Sequence, residues 1–72
     1  MIPWEFLRGE IQWVAKDEDG TWWGYPSAPG LFKDYWAGTD FWSLDSLTFP
    51  QGNEHWTRTL QQRPSTKTEE LL

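Results

Sequence analysis

The chain contains no cysteine, a single histidine and a single methionine. Without cysteine there is neither a disulfide nor a thiolate zinc staple, and His55 alone cannot build a histidine-rich metal site. Basic residues are few, 6 against 11 acids, for a net charge of −5. Binding to a phosphate backbone draws on clustered Lys and Arg, so no direct nucleic-acid binding is expected. No apolar run approaches the roughly 18 residues of a membrane span, so no membrane partner is expected. The opening Met1-Ile2-Pro3-Trp4-Glu5-Phe6-Leu7-Arg8 carries neither a basic stretch nor a long apolar one. It does not read as a secretory leader, and a cytoplasmic location is expected.

What the sequence has in quantity is aromatic surface: 7 Trp, 4 Phe and 2 Tyr in 72 residues. A domain this small, with no cross-link, must bury most of those rings to offset the entropy of ordering its backbone. Few rings are then left for a binding face.

The strongest local signal spans residues 10–25, where two aromatic and β-branched runs flank Asp17-Glu18-Asp19-Gly20. Asp-Gly between such runs marks a hairpin. A three-residue loop puts Glu18 and Asp19 in a type I turn and Gly20 in the left-handed region. That register pairs Ala15 with Trp23 and Trp13 with Tyr25. One face then reads Ile11, Trp13, Ala15, Trp23, Tyr25, and the other Gln12, Val14, Lys16, Trp22, Gly24. The second face is the wetter by composition, and it sets Trp22 opposite Lys16 for a cation–π contact.

Further along, Pro26 to Leu31 reads as a loop. A third strand is expected over residues 32–36, a fourth over 41–44 with Trp42 and Leu44 inward, and a fifth over 55–60 with Trp56 and Leu60 on one side. Asp45-Ser46 suits a turn, with Leu47 and Phe49 plugging the core. Residues 1–9 read as a loosely extended arm over the core. The expected class is all-β: four to five short strands in a twisted antiparallel meander, with a partly open barrel as the rolled alternative. Residues 1–60 form the domain, and residues 61–72, which lack aromatics, read as a flexible tail.

No motif declares a reaction. Asp17, Glu18 and Asp19 span too short a run for an EF-type calcium loop and read as a solvated turn. No nucleophile-elbow pattern surrounds Ser27, Ser43, Ser46 or Ser65, so His55 reads as a strand histidine. Asp34, Asp40 and Asp45 read as turn formers rather than paired catalytic carboxylates. The glycines do not form a phosphate loop. Neither an enzyme nor a cofactor is expected. The candidate binding residues are Trp22, Lys16, Val14 and Gln12 on the wetter face, with Asp17, Glu18 and Asp19 at the acidic rim.

Residues 13–29 (WVAKDEDGTWWGYPSAP), Trp36, and residues 41–56 (FWSLDSLTFPQGNEHW) together resemble small uncharacterised proteins of tailed phages and prophages. The resemblance rests on Ala15, Asp17, Asp19, Gly20, Pro29, Trp36, Leu44, Asp45, Ser46, Phe49, Pro50 and Trp56, in that order. It carries no established activity and implies a viral accessory context. The expectation is a bacteriophage accessory protein that binds a host protein and modulates it, as an inhibitor, through a Trp-anchored acidic surface. The alternatives are a carbohydrate-binding module using Trp22 with Tyr25 or Tyr35, and a small structural piece of the virion. The acids Glu10, Asp17, Glu18, Asp19, Asp34 and Asp40 read first as plain solubility, with nucleic-acid mimicry as the lesser alternative.

Overall fold

The computed structural model describes residues 2–44, 49 and 52–64. Among them there is no α-helix; six short strands and two 3-10 turns carry the fold. The strands are β1 Trp13–Lys16, β2 Trp22–Tyr25, β3 Gly30–Phe32, β4 Tyr35–Ala37, β5 Trp42–Ser43 and β6 Gln61–Gln62. They form a four-stranded antiparallel sheet in the order β5-β2-β1-β6 and a separate β3-β4 hairpin. The class is all-β with small antiparallel sheets, open rather than closed into a barrel.

The first hairpin forms as its turn chemistry dictates. Trp13 pairs with Tyr25, Ala15 with Trp23 and Lys16 with Trp22. The Asp17 amide donates to Thr21 O (3.0 Å), and the Asp19 carboxylate takes the Thr21 amide (2.9 Å). Gly20 sits at φ +92°, where a side chain would strain the backbone.

The sheet has no wet face. On one side Ile2, Ile11, Val14, Trp22 and Phe49 form a core, with Trp4, Leu7, Trp42 and Leu44 against it. On the other, Ala15, Tyr25 and Trp36 form a second core, flanked by Trp13, Trp23, Trp56 and Leu60. Ile11 has changed sides relative to strict alternation. The Gln12 amide donates to the carbonyl of Tyr25, the partner of Trp13, so two residues face one as in a β-bulge. Ile11 then lies across Gly24, where an added Cβ would come within 2.8 Å of its side chain.

Three expected strands come out differently. Residues 32–36 are not one strand but the bend of the β3-β4 hairpin, turned at Lys33 (φ +46°) and Asp34. The fourth is shorter than expected, Trp42–Ser43, and pairs with β2, with Trp42 and Leu44 packed inward. Over residues 55–60 the chain makes a 3-10 turn, Trp56–Arg58, whose N-terminus is capped by the His55 ring accepting from the Thr57 amide. Phe49 is buried, while Asp45, Ser46 and Leu47 lie outside the described residues.

Residues 61–63 belong to the domain rather than to a tail. Gln61 and Gln62 pair with Val14 and Trp13 as the edge strand beside β1. Arg63 donates from Nε to Ile11 O (2.8 Å) and from its terminal nitrogens to Arg8 O (3.0 Å) and Trp4 O (3.3 Å). Its guanidinium also lies 5.2 Å from the Trp4 ring centroid. One planar fork with several donors thus fastens the N-terminal arm, itself a 3-10 turn over Trp4–Phe6, onto the core. Farther along β1 the buried Thr59 hydroxyl accepts the Lys16 amide (2.8 Å), so that edge is occupied past the end of β6.

Candidate functional site

The residues singled out from the sequence do not form one patch. Val14 is 0% and Trp22 2% exposed, both inside the first core. The Trp22 ring meets Phe49 at 5.1 Å, tilted by 32°, and no cation–π contact joins it to Lys16. Trp22 and Val14 are therefore withdrawn as an exposed anchor. The register agrees with the expected one; this face is not wet, because Ile2, Trp4, Leu7 and Phe49 cover it. The same burial of Trp22 and Tyr25 removes them as stacking platforms for a sugar ring. Gln12 is exposed and donates to Gly9 O (2.8 Å). Lys16 is half-buried and, with Trp22, Glu54 and Thr59, lines a recess of about 70 Å³. Glu18 and Asp19 are exposed at the hairpin tip. His55 is exposed, in the cap described above rather than in a strand.

Asp17 lies elsewhere, in the wall of a cleft of about 440 Å³ between the sheet and the β3-β4 hairpin. Trp23 and Tyr25 come from β2, Tyr35 and Trp36 from β4, and Phe41 from the approach to β5. The sequence builds this cleft by a simple device. Asp17 leaves β1 at the start of the turn, and its Oδ1 accepts the amide of Trp36 (2.9 Å). The Tyr25 hydroxyl donates to Trp36 O (3.4 Å), and Trp36 Nε1 donates to Trp56 O (3.4 Å). Trp36 is thereby pinned from three sides, and the second hairpin is held upright against the sheet. Phe41 meets Trp23 edge-on at 5.4 Å across the mouth.

The electrostatics of the cleft are one-sided. Partial burial pushes the Asp17 carboxyl above its ordinary 3.8; the Trp36 amide opposes that shift, and the charges of Asp19 and Asp34 add to it. Burial, then the Asp17 charge, push the Tyr25 phenol up as well. Among the described residues no cation pairs with Asp17, and the one ion pair, Arg8–Glu10 (3.4 Å), involves other residues. No three described His, Asp or Glu side chains lie together as metal ligands. No described helix is long and apolar enough to cross a membrane.

The rim is apolar and open. Tyr35 is 42% and Phe41 53% exposed, and Phe32, 50% exposed, meets Tyr35 edge-on at 5.5 Å. Leu31, before Phe32 on β3, is 52% exposed. Of the cleft residues the sequence marks Asp17 for binding, and Tyr25 and Tyr35 for a sugar. The missing signal was a second hairpin too short to show alternation. No family model, no curated protein and no solved structure matches the chain.

Proposed function

We propose that this chain is a non-enzymatic, phage-type accessory protein that acts in the host cytoplasm by binding and inhibiting a host protein. The contact surface in this reading is the aromatic cleft and its rim, in place of the buried Trp22 face. One observation carries it: in a 72-residue chain that needs its rings for cohesion, Tyr35 and Phe41 stand exposed in the lining of a 440 Å³ hollow, with the exposed Phe32 ring against Tyr35. Contiguous apolar exposure on a small protein marks an interaction site, and aromatic rings are its usual anchors. The net charge of −5 steers such a surface toward a basic partner.

The test is affinity capture from bacterial lysate, run in parallel with the wild-type chain and a Tyr35→Ala/Phe41→Ala variant, with captured proteins identified by mass spectrometry. Neither side chain belongs to either core, so the variant keeps both. A host protein held by the wild type and lost by the variant is the expected result. A protein held equally by both, or turnover by the purified chain on a substrate panel, overturns the reading.

A further inference from the structure

We propose that the cleft between Asp17, Trp23, Tyr35 and Phe41 is a receptor for an arginine side chain presented by the partner protein. The proposal rests on the reading that this cleft is the contact surface, and adds the chemistry of what enters it.

The walls are aromatic faces and edges, and the charged group among them is one carboxylate. That carboxylate spends Oδ1 on the Trp36 amide and has no cationic partner among the described residues. An apolar plug would strip the remaining water from Asp17 with nothing in return. An anion would add to the repulsion that Asp19 and Asp34 already exert on it. A sugar needs several converging donors and acceptors, and here the Tyr25 hydroxyl is committed to Trp36 O. A bare metal ion would find a single ligand.

A cation satisfies both halves of the site, since rings attract it through their faces and the carboxylate through its charge. Arginine fits better than lysine because a flat, weakly hydrated guanidinium stacks on rings and gives up water readily, whereas an ammonium holds its shell. The hollow has room for the whole guanidinium and part of its stem.

The experiment is a titration of the full-length, 15N-labelled chain at low salt, read on the indole N–H resonances of Trp23 and Trp36. The probes are N-acetyl-arginine amide, its neutral isostere N-acetyl-citrulline amide, and N-acetyl-leucine amide. Arginine amide should shift both indoles and bind about tenfold more tightly than citrulline amide, a difference of ~1.4 kcal/mol. Asp17→Asn keeps an oxygen for the Trp36 amide, so it should preserve the rest of the spectrum while reducing arginine to the citrulline level. Citrulline amide binding as tightly as arginine amide, or Asp17→Asn leaving arginine binding unchanged, overturns the proposal. Leucine amide as the best probe would sink the arginine assignment yet leave the cleft as a contact surface. Arginine binding in the cleft, combined with capture that ignores Tyr35→Ala/Phe41→Ala, would sink the contact-surface reading instead.

Discussion

Replacing Trp22 and Trp23 separately tests whether both faces of the central hairpin are dry. The two are neighbours on one strand and point to opposite sides. Trp22 is 2% exposed and packed on Phe49; Trp23 is half-buried in the cleft wall. Deleting a fully buried indole costs about 3–5 kcal/mol, as transfer plus cavity. A domain of 72 residues has only about 4–11 kcal/mol in hand. Trp22→Ala should therefore lower the urea midpoint by about 3 M or more, at a slope near 1 kcal/mol/M. Trp23→Ala, which empties into an open cleft, should cost about 1–2 kcal/mol, because the lost transfer comes with little closed cavity. Trp22→Phe adds a control. Among the described residues the Trp22 Nε1–H is buried with no acceptor, a penalty of about 1–3 kcal/mol that phenylalanine removes. That gain offsets most of the lost ring, and Trp22→Phe should fall within about 1 kcal/mol of wild type. Urea unfolding followed by far-UV circular dichroism avoids confusion from the altered fluorescence. A Trp22→Ala cost no greater than that of Trp23→Ala would refute the covered second face. Trp22→Phe as damaging as Trp22→Ala would refute the unsatisfied indole.

Arg63→Met keeps the aliphatic stem but loses the three side-chain hydrogen bonds to Ile11, Arg8 and Trp4; it should cost about 2–3 kcal/mol, or about 10–20 °C in Tm, and Arg63→Lys should recover less than half of that by calorimetry. Gly20→Val should destabilise by about 1–2 kcal/mol for backbone reasons alone, since an added Cβ there meets nothing within 4 Å; D-alanine at the same position, introduced by synthesis, should not destabilise in the same melt. Gly24→Ala should cost about 1–3 kcal/mol by collision with Ile11, and trimming Ile11 to Val should relieve part of it, measured as coupling in a double-mutant cycle. The folded-state pKa of Asp17 lies above its ordinary 3.8, so the native state binds the proton first as pH falls. Wild-type stability relative to Asp17→Asn should then rise as pH drops from neutral through the folded value toward 3.8; a gap in melting temperature independent of pH between 4 and 7 would contradict this.

How much of this could be read from residues varies with how local the cause is. The first hairpin was legible down to its pairing, because Asp19-Gly20 fixes a turn and the flanking rings fix a period of two. Which side was wet was not legible. Alternation shows that Trp22 and Trp23 diverge, and the covering elements, Ile2, Trp4, Leu7 and Phe49, lie far away in sequence. The second hairpin hid because Lys33-Asp34 lacks the glycine or asparagine that usually marks a tight turn, and three-residue strands show no period. Arg63 looked like tail because a guanidinium bonded to main-chain carbonyls leaves no trace in composition. The cleft was legible only through Asp17, and even there as a turn residue; its depth comes from a long-range bond to the Trp36 amide.

The fastening of Arg63 onto Ile11 joins positions 52 apart in the chain. Until residues 61–63 dock, the outer margin of the Trp13–Lys16 strand is bare. A nascent strand with an open margin and apolar residues on both sides is prone to pair with whatever is nearby, including a sister chain on the same message. The polar pair Gln61–Gln62 and the arginine after it thus end a period of risk for the folding polypeptide. Substitutions there should reveal themselves first as lost yield and inclusion bodies, before any change in the mature protein is measured.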